Sequence, residues 1–253
     1  LCISGYGCED AFHSLDVARR SFAMLEEIAT EARRILPRTA LVLGLPVRRN
    51  GRVYNCVAFV LDGRIQGIVP KRNLPGDGVH YEPRWFAAHR GRARESYTHD
   101  GREIPFGPLL VELRGTRIAV EICEDAWVPR RPGHLHLERG PEIILNPSAS
   151  HFAFDKYKIR RNIALEASRS MGGVFCSVNL LGCEAGRMIY DGHSVIAACG
   201  ELVHENPGFS FRDCILNEVA LDFEAFRVLR SRLYSYINQE PGEDSADDLL
   251  VKL

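Results

Sequence analysis

At 253 residues with 45% hydrophobic content, the chain is long enough to bury a substantial core, and one large α/β domain is favoured over two small ones. Its formal net charge of -1, from 32 basic and 33 acidic side chains, leaves no electrostatic footprint for nucleic acid or for an anionic membrane surface. No apolar run approaches the roughly 18 residues of a membrane span and no signal peptide is visible, so a small, roughly neutral substrate is the expected partner.

The first stretch, LCISGY, reads as the end of a strand entering a glycine turn. From Glu9 to Leu36 apolar residues recur at Ala11, Leu15, Ala18, Phe22, Leu25, Ala29, Ala32 and Leu36, which predicts one long amphipathic helix stopped by Pro37. Two strands follow, over residues 40–47 and 53–63, joined by the Asn50-Gly51 turn signal, and RIQGIVPK continues the meander. Residues 72–106 are rich in Gly, Pro, Arg and His, lack periodicity and read as a long functional loop.

PLLVELRG and TRIAVEIC read as two more strands, then EIILN as a buried one. A helix is predicted from about Asp155 to Met171, with Asp155 as N-cap and Ile159, Ile163 and Ala167 on one face. GVFCSVNLL is a strand, the stretch ending in AACGELVHE a hairpin turning at Cys199-Gly200, and CILNEVALDF a last strand. Apolar strands flanked by long helices suggest two packed sheets with helices outside. The polar, acidic QEPGEDSADDLLVKL, residues 239–253, reads as a linker, leaving residues 1–238 as the domain.

All eight cysteines are scattered, with no CxxC pair, which points to a reduced, cytoplasmic setting. Cys123 stands between Glu121 and Glu124 at a strand end, in EICED. A free thiol has a pKa near ~8.5, so a nucleophilic cysteine needs a base or a cation, and neighbouring carboxylates have the wrong sign. A buried core cysteine is the competing reading. His134 and His136 in GHLHLERG make two ligands without a third at recognisable spacing, so no metal is expected. Lysine is scarce against arginine, and Lys71 closes a strand and opens the long loop, where its charge suits a thiolate and then an oxyanion.

The segments KRNLPGDGVHYEPRWF, EICEDAW, LNPSASHF, EASRSMGGVFCSVNLLGCEAGRMIYDGHSVIAACGEL and FSFRDCILNEVALDF follow LCISGYGCEDAF in this order. Together they resemble the nitrilase (carbon-nitrogen hydrolase) superfamily, and within it the N-terminal glutaminase domain of glutamine-dependent NAD+ synthetases. The resemblance runs from Leu1 to about Phe226.

It implies an α/β fold, the nitrilase-like αββα sandwich, and a Glu-Lys-Cys triad with Lys71 as the lysine and Cys123 as the nucleophile. The triad glutamate is expected immediately before Leu1. Glu82 matches a second glutamate that holds the lysine and orients the substrate amide. Glu124, Ser150, Lys156 and Tyr6 match residues that contact glutamine. The resemblance further implies L-glutamine as substrate and ammonia passed to a C-terminal synthetase domain that uses ATP and Mg, with no cofactor in this domain. That domain's S-G-G-x-D-S phosphate loop has no match here. Homo-oligomers are also implied. Two departures, Asp77 for a tyrosine and Lys156 for an arginine, bear on the glutamine contacts. A stand-alone amidase or carbamoylase and a non-catalytic scaffold of the same fold stay open.

Overall fold

In a computed structural model, the structure describes residues 1–184, 186–233 and 249–253. The chain divides into two compact units, Leu1–Val111 with Asp248–Leu253, and Glu112–Asp247, where the sequence favours one domain. The five-stranded sheet lies in the first unit, and the second holds five strands of the seven-stranded one.

In the first unit a 3-10 turn, Glu9–His13, precedes helix α1 (Leu15–Ile35). The single long helix expected from Glu9 is therefore broken at Ser14, whose extended backbone and side chain, accepting from the Asp16 N–H at 3.2 Å, start a new helix. Strands β1 (Leu41–Arg49), β2 (Arg52–Leu61) and β3 (Arg64–Pro70) form the expected antiparallel meander. The β1–β2 turn is made by Asn50 and Gly51 at φ 50° and 75°, the mirror-image turn that matches strand twist.

The expected loop over 72–106 is more ordered than its composition suggests. It holds a one-turn helix α2 (Glu82–Trp85) and a hairpin of β4 (Glu95–His99) and β5 (Arg102–Phe106), giving sheet order β1-β2-β3-β5-β4. The hairpin turns on Asp100 and Gly101, both at positive φ, a sequence signal that the surrounding arginines hide. Phe22, Leu25 and Ala29 of α1 pack on Leu45, Val47, Cys56, Ala58 and Ile68. Each large side chain fully buried this way contributes about 1.5–3 kcal/mol.

Strand β6 (Leu110–Leu113) spans the boundary. The second unit is built on β7 (Thr116–Val120), β8 (Ile143–Ser148) and β9 (Val174–Asn179), paired in parallel. Parallel pairing demands crossovers. Two 3-10 segments, Cys123–Ala126 and Pro132–Arg139, lie between β7 and β8, and helix α3 (Lys156–Met171) lies between β8 and β9. A small pair, β10 (Leu181–Cys183) and β11 (Ile189–Asp191), leads to the hairpin β12 (Ser194–Ala198) and β13 (Glu201–Glu205), which turns at Cys199-Gly200 as expected. Sequence segments after β7, β8 and β9 thus leave the same carboxyl edge of a parallel sheet, where open α/β sheets bind ligands.

Three expectations fail in this unit. The buried face of α3 is Arg160, Ala164, Ala167, Ser168 and Met171, while Ile159 is half exposed, because a buried ion pair claims the Arg160 position. Asp155 occupies the N-cap of α3 at φ 62° without a side-chain cap bond, its carboxylate pairing instead with Lys158 at 2.8 Å. CILNEVALDF forms no strand. Asn217 ties it to β12 and β13 through Ser194 and His204 side chains instead of a backbone ladder. Helix α4 (Phe223–Arg232) follows, and Arg227 fastens it to Glu142 at 2.6 Å.

Of the expected linker, residues 239–248 lie outside the described residues. Its end does not: Leu249 is buried and Leu250–Lys252 forms strand β14 in the first unit. An apolar tail after an acidic run reads the same as linker or strand until it finds a partner.

Candidate active site

In the first unit the site is built around Lys71, immediately after β3. Its N–H donates to the Asn55 carbonyl at 2.8 Å, continuing the β2–β3 ladder, and its own carbonyl accepts from the His89 N–H at 3.0 Å. The main chain is thus held on both sides. Lys71 is 0% exposed, and its Nζ donates to Glu82 Oε2 at 2.6 Å, with Glu82 1% exposed. Burial of an ammonium and a carboxylate is tolerated only when each satisfies the other.

Asn55 Nδ2 donates to the second Glu82 oxygen at 3.2 Å, so both carboxylate oxygens are engaged. Glu82 reaches this position as the first residue of α2, whose following aromatics, Trp85 and Phe86, pack against Phe12 and Val53. Tyr6 is buried in the same unit.

In the second unit β7 ends at Val120 and the chain turns sharply through EICED. Cys123 sits in the left-handed region at φ 48°, a conformation that costs a side chain with a Cβ roughly 1–2 kcal/mol. Strain of this kind persists only where the surroundings over-determine it. Here they do: the Asp125 carboxylate accepts from the Ile122 N–H at 3.0 Å, and the Asp125 N–H donates to the Ile122 carbonyl at 3.1 Å. Asn146, at the end of β8, donates through Nδ2 to the carbonyls of Glu121 at 2.7 Å and Cys123 at 3.4 Å. Its oxygen accepts from Ser177 at 3.0 Å and Ser148 at 3.1 Å. The thiol is half-buried.

The two glutamates beside it point to different fates. Glu121 is turned into the interior, where it pairs with Arg131 at 3.1 Å and accepts from the Gly133 N–H at 2.9 Å. Burial pushes its carboxyl above the usual range, with the Arg131 charge opposing. Its charge is matched locally. Glu124 is half-buried and contributes negative charge around Lys156.

Ser150 follows β8 in a buried loop. Its N–H donates to Asn179 Oδ1 at 2.8 Å, and its carbonyl accepts from Asn179 Nδ2 at 2.9 Å. Asn179 Nδ2 also bonds Asp191 at 2.7 Å, and Asp191 pairs with Arg160 of α3. Burial alone would raise the Asp191 carboxyl, yet hydrogen bonds from Asn179 and the His193 N–H, together with Arg160, hold it below the usual range. Lys156 opens α3 half-buried, 3.3 Å from His151 Nδ1 and 5.5 Å above the Trp127 ring. Burial lowers its ammonium below the ordinary lysine value, against the raising effect of Cys123, Glu124 and Asp191.

The expected residues therefore fall into two groups. Lys71 and Glu82 are joined directly in the first unit. In the second, Cys123 and Glu124 lie within the electrostatic reach of Lys156, and Ser150 hangs on the bracket that also carries Asp191. Sequence reading missed Asn55, Asn146, Asn179 and Asp125. The three asparagines had a signal: each is an amide in an otherwise apolar strand, VYNCVAFV, IILNPS or VFCSVN. For Asp125 there was none beyond its motif.

Among the described residues the one cluster with metal-ligand spacing is Glu26, His99 and Asp100. It is partly exposed, and Glu26 is already paired with Arg102. His134 is exposed while His136 is buried, so they do not present as a ligand pair. No helix among the described residues is long and apolar enough to cross a membrane.

Comparison with known proteins bears directly on this geometry. The carbon-nitrogen hydrolase family model matches residues 1–221. A crystal structure of a glutamine-dependent NAD(+) synthetase from Cytophaga hutchinsonii is similar with 41% identity and a TM-score of 0.77, over 84% of this chain and 34% of that one. The glutamine-dependent NAD(+) synthetase of Arabidopsis thaliana is 32% identical over 94% of this chain and 34% of its own length. A carbon-nitrogen hydrolase from Helicobacter pylori, at 16% identity and a TM-score of 0.68 over 94% of this chain and 78% of that one, shares the fold. The chain spans about a third of the length of the curated relatives it matches. With the family model matching residues 1–221, the chain belongs to the carbon-nitrogen hydrolase family.

Proposed function

We propose that this chain is the glutamine-hydrolysing part of a glutamine-dependent NAD+ synthetase. The observation that carries the reading is the Lys71–Glu82 pair, a lysine held at 0% exposure by a carboxylate 2.6 Å away. A fold gains little net stability from such a pair over apolar residues of the same volume, whereas an amidohydrolase needs a fixed cation at a developing oxyanion. Similarity to NAD(+) synthetases over 84–94% of the chain supports glutamine as the amide.

In this mechanism the Cys123 thiolate attacks the side-chain amide carbon of glutamine. Lys71 and the Glu124 N–H stabilise the tetrahedral oxyanion, and Glu82 holds Lys71 and orients the amide. Collapse breaks the C–N bond, ammonia leaves with a proton from the triad glutamate, and water deprotonated by the same carboxylate cleaves the thioester to glutamate. Glu124 suits the α-ammonium of the substrate, and Lys156 at the start of α3 suits its α-carboxylate; the resemblance makes Ser150 and Tyr6 further glutamine contacts. Ammonia passes to a synthetase domain that uses ATP and Mg to amidate nicotinic acid adenine dinucleotide. The glutaminase part needs no cofactor and assembles as a homo-oligomer. A cytoplasmic setting accords with eight scattered cysteines and no CxxC pair.

The test is ammonia release from glutamine by the full-length protein, wild type against Cys123→Ala and Lys71→Ala. Loss of activity by at least about 10³-fold in folded variants is expected. Cys123-dependent hydrolysis of a different amide would overturn the substrate, and inertness toward all amides would overturn the reading.

A further inference from the structure

Asn55 lies in the middle of β2 and is 3% exposed, between Tyr54 and Cys56. It is hydrogen-bonded to both members of the Lys71–Glu82 pair: its carbonyl accepts the Lys71 N–H at 2.8 Å, and its Nδ2 donates to Glu82 Oε1 at 3.2 Å. The opposite amide atom, Oδ1, is buried without a hydrogen-bond partner. Reversing the amide would set that oxygen against a carboxylate oxygen, so the orientation is fixed by charge. A buried orphan acceptor is costly, and an apolar residue would avoid the cost at this strand position. The amide is retained for the donor it supplies.

We propose that Asn55 is a positioning residue for amide hydrolysis, acting through Glu82. By occupying Oε1 it leaves Oε2 to Lys71 alone, and so fixes where the Lys71 ammonium points. A carboxylate with one free oxygen would swing about its side-chain bond and carry Nζ with it, and a misdirected donor loses most of its value to an oxyanion. The inference rests on the proposed role of Lys71. Glu82, on α2, is the charged group bonded to the Asn55 side chain, and Lys71, at the end of β3, is bonded to the other oxygen of the same carboxylate.

Two variants of the full-length protein separate positioning from packing. Asn55→Ala removes the donor; Asn55→Asp keeps the shape but donates to Glu82 only when its own carboxyl is protonated. For Asn55→Ala, kcat for glutamine is expected to fall about 10- to 100-fold, the weight of a hydrogen bond to a charged group, with KM within about twofold. Asn55→Asp is expected to recover activity relative to wild type as pH falls. Parallel pH profiles for the two variants, or wild-type kcat in either, would overturn the proposal. If Asn55→Ala does not fold, the isosteric Asn55→Asp carries the decision. Wild type inert toward all amides would instead sink the functional reading; the 15N signal of the Lys71 ammonium then still decides the positioning. Slow proton exchange in wild type and fast exchange in Asn55→Asp above neutral pH supports it, and equal exchange overturns it.

Discussion

The two units carry buried ion pairs of opposite quality. In the first, Lys71 and Glu82 are both fully enclosed and Asn55 completes the carboxylate. In the second, Asp191 is well served by Asn179, the His193 N–H and Arg160, but Nε and Nη1 of Arg160 are buried without hydrogen-bond partners. Both carboxylates are fully engaged, so the two pairs differ at the cation: Lys71 Nζ is bonded to Glu82, whereas Arg160 keeps two buried nitrogens without a hydrogen-bond partner. A group whose hydrogen bonds are all committed has a fixed direction, and direction is what a reacting centre needs. Asp191 is the member of its pair so committed, and through Asn179 it fixes the Ser150 loop; Arg160 serves only as counter-charge.

The sharpest way to break this contrast is Lys71→Met, which leaves Glu82 buried and unpaired. Chemical denaturation should give a loss of about 3–5 kcal/mol, most of it recovered in the Lys71→Met/Glu82→Leu double variant, since two apolar groups replace a matched pair at little cost. Failure to recover would mean that the pair stabilises the unit in its own right. Asp191→Asn should cost about 3 kcal/mol, the low end of that range, because Arg160 is poorly satisfied already.

The pH dependence of Asp191 has a definite sign. Its folded-state carboxyl ionises below the unfolded value, so its stabilisation is complete above the ordinary carboxylate range and is lost as pH falls through the depressed value. Acid unfolding of wild type should therefore be steeper than that of Asp191→Asn. Equal slopes would show that other carboxylates govern it.

A smaller effect tests the strain at the EICED turn. At φ 48°, Cys123→Gly should be about 1 kcal/mol more stable than Cys123→Ala in thermal or urea melts, although glycine ordinarily destabilises. A less stable glycine variant would mean the turn is relaxed. The smallest expected change concerns Lys156, whose ammonium is lowered by burial. The KM for glutamine should rise on the alkaline side at a lower pH than an ordinary lysine would give, and Lys156→Arg should remove the rise, because guanidinium stays charged. A KM insensitive to pH in both proteins would place the substrate carboxylate elsewhere.

Much of the fold was legible because its signals are local. The Asn50-Gly51 and Cys199-Gly200 hairpins, the α1 stripe and the apolar strands each follow from turn chemistry or periodicity within a few residues. At two places where the reading failed, a distant partner had overridden local preference. Ile159 lost the buried face of α3 to Arg160 because Asp191 lies across from it, and CILNEVALDF stayed unpaired because Asn217 satisfies β12 and β13 through side chains.

The site divides along the same line. Lys71, Cys123 and their motifs stand out in the sequence because a rare lysine at a strand end and a thiol between carboxylates are chemically odd. The sequence by itself singled out these two candidate groups, the β1–β3 meander, the helices α1 and α3 and the apolar strands around them, and the resemblance to the family. Only the tertiary structure decided what holds them: Asn55 on Glu82, Asn146 on the Cys123 carbonyl, Asn179 on Ser150. The physical reason is that a hydrogen bond between residues far apart in the chain leaves no periodicity and no spacing. An asparagine in an apolar strand announces that a partner exists, and folding alone says which one.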